Sequence, residues 1–181
     1  MNRQSDAALV RRVLAGDTGA YGELVARYRD RLGRYAMRML GNEADAEEAL
    51  QDAFVRGYRS LHRCTEPERF GAWLFAIMVN RCRTLGAQRA RRQRTVVHDE
   101  GILARAAVAD TAERHAWRET IAWALRQITP AHREAFLLKH VEELSYEEMV
   151  EVTGASVPAL KMRVMRAREE LRRLLTEGER V

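Results

Sequence analysis

SYEEMVEVTGASVPALKMRVMRAREELRR, residues 145–173, decides the reading of this chain. Ser145 followed three residues later by Glu148 forms a capping box, in which each side chain satisfies the other's free backbone N–H as a helix begins. Met149, Val150 and Val152 give that helix an apolar stripe, and Gly154 suits the left-handed residue that ends it, because glycine carries no Cβ to clash there. Ser156 caps a second helix, with Pro158 in its first turn, where a missing N–H costs nothing. Leu160, Val164, Ala167, Leu171 and Leu174 recur along one face at helical spacing. Lys161, Arg163, Arg166, Arg168 and Arg172 project elsewhere, and those near the amino end can reach base edges in a major groove. An αα-hairpin with a solvated charged face shares this pattern, but DNA binding fits it better.

Outward from that segment, periodicity predicts helices almost throughout. Ser5 and Asp6 open the first, carrying Leu9, Val10, Val13 and Leu14 up to Gly16. A second spans about Thr18 to Leu40, with Gly41 after it. Asn42 caps a third, which buries Ala46, Ala49, Leu50, Ala53, Phe54 and Tyr58. A loop from His62 to Thr65 follows. Thr65 and Glu68 are spaced as another capping box, and a fourth helix builds on Phe70, Trp73, Leu74, Ile77, Met78, Arg81 and Leu85. Apolar patterning then fades through an arginine-rich stretch, Gly86 to Ala109, with one docking turn expected around Ile102 and Leu103. It resumes on Trp117, Ile121, Ala124, Leu125 and Ile128, and Thr129-Pro130 starts the next helix. No useful alternating strand pattern occurs. The expected architecture is all-α: a domain over 1–88, a flexible basic linker over 89–109, and a domain over 110–178.

The 181 residues carry a net charge of +5, which favours a polyanionic partner. No apolar run approaches the ~20 residues of a membrane span, and the start, MNRQSDAALVRRVLAGD, resembles neither a secretory signal nor a transit peptide. A cytoplasmic setting without membrane insertion is expected. His62-x-Cys64 with Cys82 could seed a metal site, but there is no CxxC and no second close ligand pair, so neither a metal nor a cofactor is expected. Nor is there a phosphate-cradling glycine loop, a nucleophile elbow or an HExxH, so the chain does not read as an enzyme.

Charge is segregated. From Phe70 to His98 there is no acidic residue, while Arg81, Arg83, Arg89, Arg91, Arg92 and Arg94 accumulate in a stripe suited to phosphates. Just upstream, Glu43, Asp45, Glu47, Glu48 and Asp52 form an acidic run. The helix dipole accounts for its first members but not for Asp52, two to three turns in, so a second, protein partner is indicated. Phe70, Trp73 and Phe75 lie between the His62–Thr65 loop and the arginines. As single rings they read as core, but aromatics beside a basic surface also accept unstacked bases of a single strand.

These segments resemble the extracytoplasmic-function (group IV) sigma factors of bacterial RNA polymerase. DAEEALQDAFVRGYRSL at 45–61 is similar to that family's region 2.2, FGAWLFAIMVNRCRTLGAQRARR at 70–92 to regions 2.3 and 2.4, and residues 128–175 to region 4. The resemblance implies a non-enzymatic initiation factor that binds core polymerase and directs it to promoters. Asp45, Gln51, Asp52 and Phe54 would dock on the clamp coiled coil of the polymerase's largest subunit, with Phe54 also fitting a structural role. The loop from Arg63 through Cys64 to Phe70, with Trp73, Asn80 and Arg81, would melt the −10 element and capture non-template bases. Ser156, Lys161, Arg163 and Arg166 would enter the −35 major groove, Arg133 would hold the DNA backbone, and the apolar surface of the same domain would engage the polymerase flap. An anti-sigma factor is a further implied partner. Ala159 and Met162 depart from the small polar residues common in the family, so thymine-methyl contact, or none, is expected there. The competing reading is a helix-turn-helix regulator that acts without core polymerase; nothing in that reading calls for the 45–61 segment.

Overall fold

The computed structural model describes residues 4–95 and 112–178, and among them every regular element is helical. The chain divides into two compact units, one within residues 1–99 and one within 100–181.

In the first unit, α1 (Asp6–Leu14), α2 (Thr18–Leu40) and α3 (Glu43–Arg59) lead through two short 3-10 turns, Leu61–Arg63 and Pro67–Arg69, into α4 (Phe70–Thr95). The starts are set by side chains that accept otherwise orphaned amides: Ser5 from Ala8 N at 3.2 Å, Asp17 from Ala20 N at 3.3 Å and Asn42 from Asp45 N at 2.8 Å. Gly41 ends α2 at φ 75°, its N–H returning to the Met37 carbonyl. The helices close on a core that includes Leu9, Val10, Leu24, Leu32, Tyr35, Phe70, Leu74 and Met78, each at most 1% exposed. Each such side chain contributes roughly 1.5–3 kcal/mol. Packing of α3 on α4 is close at Gly57: a Cβ there would lie 2.9 Å from both Leu74 Cδ1 and the Tyr21 hydroxyl. That hydroxyl donates to the Phe54 carbonyl at 2.6 Å.

Three expectations for this unit are corrected. Residues 89–95, expected as linker, continue α4. Apolar periodicity is lost there, but Gln, Ala and Arg sustain a helix by propensity, and Arg89 is tied to Asp45 of α3 at 3.1 Å. No capping box forms at Thr65 and Glu68; Glu68 pairs instead with Arg11 of α1 at 2.7 Å, and the chain enters α4 through the Pro67–Arg69 turn. Tyr58 is 44% exposed rather than buried, edge-on to Tyr21.

In the second unit, α5 (Ala112–Gln127), α6 (Pro130–His140), α7 (Tyr146–Thr153) and α8 (Val157–Gly178) surround Leu125, Ile128, Leu137, Leu138, Met149, Leu160, Val164 and Leu171. Thr129 caps α6 by accepting from His132 N at 3.3 Å. The Ser145–Glu148 box is present in both directions, at 3.1 and 2.7 Å, and Gly154 ends α7 at φ 72°. Trp117 and Ile121 share the expected stripe of α5 yet are 53% and 46% exposed, as is Trp123 at 43%. The docking turn expected around Ile102 and Leu103 lies outside the described residues. Among the described residues no helix is long and apolar enough to cross a membrane.

Candidate nucleic-acid interface

In the first unit the acidic and basic segments lie on α3 and α4, which run antiparallel and are stitched together by charge. Asp45 sits in the first turn of α3, where it accepts from Asn42 Nδ2 at 2.6 Å and from Arg89 Nη1 at 3.1 Å. Seven residues on, Asp52 accepts from Arg56 Nε at 3.1 Å and forms an ion pair with Arg81. Seven residues along α3 and eight along α4 are each about two turns, so the two bridges repeat in register. From sequence alone these charges look like separate faces for separate partners; the bridges are signalled only by the matched spacings on the two helices. Gln51 is exposed and donates to Glu47 of its own helix at 3.1 Å. Phe54 points inward and is 9% exposed, so it belongs to the core rather than to a docking surface.

The segment between α3 and α4 presents His62, Arg63, Thr65 and Glu66 to solvent. It is anchored by Leu61, Cys64 and Phe70, which are 2%, 6% and 0% exposed. Expected base contacts at Cys64 and Phe70 are therefore corrected: both side chains are interior. The Cys64 thiol donates to the Glu66 carbonyl at 3.6 Å, and burial pushes its pKa up. Trp73 is half-buried against Phe70, with ring centroids 5.9 Å apart. Asn80 is exposed, and Arg81 lies beside it with its side chain 15% exposed against Asp52. Farther along α4, Arg91 and Arg92 face solvent. Of the residues expected around an opened strand, Arg63, Trp73, Asn80 and Arg81 retain surface with which to meet one.

In the second unit, α7 and α8 form the helix-turn-helix. Ser156 is exposed just before α8, and its carbonyl accepts from Leu160 N at 3.0 Å. Lys161 and Arg166 are exposed and Arg163 is half-buried. Met162 is 46% exposed, so a methyl-type contact there is sterically open. Lys161 also lies over the Tyr146 ring at 5.6 Å, and Lys139 lies over it at 4.9 Å, gathering positive charge at the start of α7.

Arg133 is the clearest correction in this unit. It is 9% exposed, and its guanidinium turns to the carboxy-terminal end of α5 rather than outward. Nε donates to the Leu125 carbonyl at 2.6 Å, and Nη2 to those of Arg126 and Ile128 at 3.1 and 3.3 Å. A cation over orphaned carbonyls is favoured by the helix dipole. Burial holds its pKa below the ordinary arginine value.

Comparison with known proteins agrees with this arrangement. A family model described as Sigma-70 region 2 matches residues 24–95, and one described as Sigma-70, region 4 matches 118–171. The chain is 35% identical over 167 residues to the RNA polymerase sigma factor CarQ of Myxococcus xanthus, covering 91% of this chain and 94% of that one. It is 28% identical over 182 residues to the ECF RNA polymerase sigma factor SigW of Bacillus subtilis, covering 93% and 95%. The solved structure of CnrH in complex with the cytosolic domain of CnrY superposes with a TM-score of 0.70 at 28% identity, covering 96% of this chain and 99% of that chain. An α3–α4 pair with segregated charge and a separate helix-turn-helix, in that order along one chain, thus have a common explanation: the protein belongs to the extracytoplasmic-function sigma factors of the sigma-70 family.

Proposed function

We propose that this chain is a non-enzymatic, cytoplasmic promoter-recognition subunit that binds core RNA polymerase, reads −35 and −10 elements and helps to open the −10 region. The observation that carries the reading is the coexistence, in one chain, of a charge-segregated α3–α4 pair and a helix-turn-helix with an arginine-bearing second helix. A regulator acting on duplex DNA alone would need only the second.

In this reading, Asp45, Gln51 and Asp52 face the clamp coiled coil, and complementary charge on that partner is what the two carboxylates call for. Arg63, Trp73, Asn80 and Arg81 meet the opened non-template strand, with Cys64 and Phe70 anchoring the segment from within. Ser156, Lys161, Arg163 and Arg166 enter the −35 major groove. Exposed Trp117 and Ile121, four residues apart on one face of α5, supply an apolar surface of the kind a flap contact requires. The functional halves are residues 1–88, extended by the rest of α4, and 110–178. An anti-sigma factor is the expected inhibitor; a relative's solved structure, CnrH with the cytosolic domain of CnrY, supports a protein partner of this kind.

Reconstitution with core polymerase tests the proposal. Promoter-specific initiation should require both core and this chain. Tight, sequence-specific binding of duplex promoter by the chain alone, with no gain in initiation on adding core, refutes it in favour of the regulator.

A further inference from the structure

The segment proposed to capture a base, Leu61–Arg69, has little regular hydrogen bonding of its own. It is two 3-10 turns, tied by bonds such as Arg63 N to the Ser60 carbonyl at 2.8 Å and Arg69 N to the Glu66 carbonyl at 2.9 Å. Its pose must therefore be imposed from outside, and α1 packs against both turns and the start of α4. Arg11 of α1 bonds Glu68 at 2.7 Å. At the amino end of α1, Asp6 accepts hydrogen bonds from the Tyr28 hydroxyl and from Arg27 Nη1. The Tyr28 ring stands edge-on to Phe70, centroids 5.6 Å apart at 67°. Its hydroxyl fills the space where Gly71 lacks a side chain, since a Cβ there would lie 2.6 Å from that oxygen. Phe70 in turn packs on Trp73 at 5.9 Å. A continuous path of contacts thus runs from Asp6 through Tyr28 to Phe70 and Trp73, the last of which is proposed to meet the strand.

We infer that Asp6 and Tyr28 are positioning residues for −10 recognition, holding the Leu61–Arg69 segment and Trp73 in the pose that discriminates bases. This inference rests on the proposed −10 role of that segment. Neither residue touches DNA in this scheme; a phenol held by a carboxylate on one side and seated over a glycine on the other fixes the ring on which Phe70 packs, and Phe70 packs on Trp73. Burial raises the Tyr28 pKa, which keeps the hydroxyl a donor throughout the working pH range.

The test uses the full chain reconstituted with core polymerase. The template carries a fixed −35 element, a premelted −10 region and randomised −10 bases. Tyr28→Phe keeps the ring and removes the bond. It should flatten base preference by about fivefold at the captured position, the worth of one ordinary hydrogen bond, with core affinity and −35 preference unchanged. Asp6→Ala should behave alike, whereas Asp6→Asn, which keeps an acceptor for the phenol, should restore most of the preference. If Tyr28→Phe proves unstable, Arg11→Ala at the exposed end of the same brace takes its place, with a smaller shift in the same profile. An unchanged base profile, or a uniform fall across all templates, overturns the inference. Arg63→Ala and Trp73→Ala run alongside: if these also leave the profile unchanged, the −10 assignment itself has failed; if they alter it while Tyr28→Phe does not, only the positioning role has.

Discussion

Arg133 offers the sharpest test, because the family resemblance assigns it to DNA while its geometry assigns it to the fold. Replacing it by Ala removes a cation from the end of α5 and strands the Leu125 and Ile128 carbonyls, both bonded to it at buried sites. Each buried acceptor left unpaired costs about 1–2 kcal/mol, and the lost charge–dipole interaction adds about 0.5–1 kcal/mol. Against this, relief from burying a guanidinium returns part of the cost. The net loss is about 2–4 kcal/mol, confined to the second unit. Hydrogen exchange followed by mass spectrometry on the full chain reads it locally. Protection in α6 and α8 should fall roughly 30- to 700-fold, while α2 and α3 stay unchanged. Arg133→Lys should recover part of the loss, since an ammonium reaches fewer of the three carbonyls than the planar fork does. If Arg133→Ala leaves exchange in α6 unaltered and instead lowers affinity for all −35 sequences equally, the side chain works on phosphate and the structural argument fails.

Other expectations follow from the same geometry. Asp52→Arg should abolish most core binding in a pull-down; by placing a third cation beside Arg56 and Arg81 it should also lower the stability of the first unit by about 1 kcal/mol in urea denaturation. In initiation assays over a randomised −35 library at two salt concentrations, Arg163→Ala or Arg166→Ala should cost about 1–3 kcal/mol and relax preference at particular positions. Arg91→Ala or Arg92→Ala should instead weaken every promoter alike and lower the salt slope by about one per phosphate contact. His140 is held below its ordinary pKa by desolvation and by Arg168 and Lys139. The unfolded chain then binds more protons than the folded one near the ordinary histidine value, so stability of the second unit should decline as pH falls through about 6.5, and His140→Gln should flatten that slope in pH-dependent thermal melts.

What the sequence made legible was local. The cap at Asn42, the box at Ser145 and Glu148, and the left-handed glycines at 41 and 154 each follow from hydrogen-bond needs within a few residues, so their spacing announces them. The direction of a long side chain is a different matter. Arg133 lies on a helix whose polar positions read as solvent-facing, and only the fold brings the end of α5 over it. Cys64 lies in a stretch that reads as open because it is polar on average, yet the 3-10 turn before it directs the thiol inward, whereas the apolar spacing of α4 already places Phe70 in the core. Fading apolar periodicity after Gly86 predicts the end of a helix. It marks instead the point where α4 is held by ionic contact with α3 and by propensity.

The bridges Asp45–Arg89 and Asp52–Arg81 change how the acidic run must be probed. Its charge is not wholly free for a partner, since two of its carboxylates already accept from arginines of α4. A carboxylate has lone pairs for several donors, so a docking cation can join Asp52 without expelling Arg81, but any substitution at Asp52 disturbs fold and interface together. Gln51, exposed on the same helix, is bonded to Glu47 of that helix and is not one of the residues whose carboxylates hold the α4 arginines. Loss of core binding in Gln51→Ala at unchanged stability would therefore report on docking alone. If Gln51→Ala is silent and the defect of Asp52→Arg tracks only its loss of stability, the carboxylates on α3 serve to hold α4 in place, and the polymerase must grip another face.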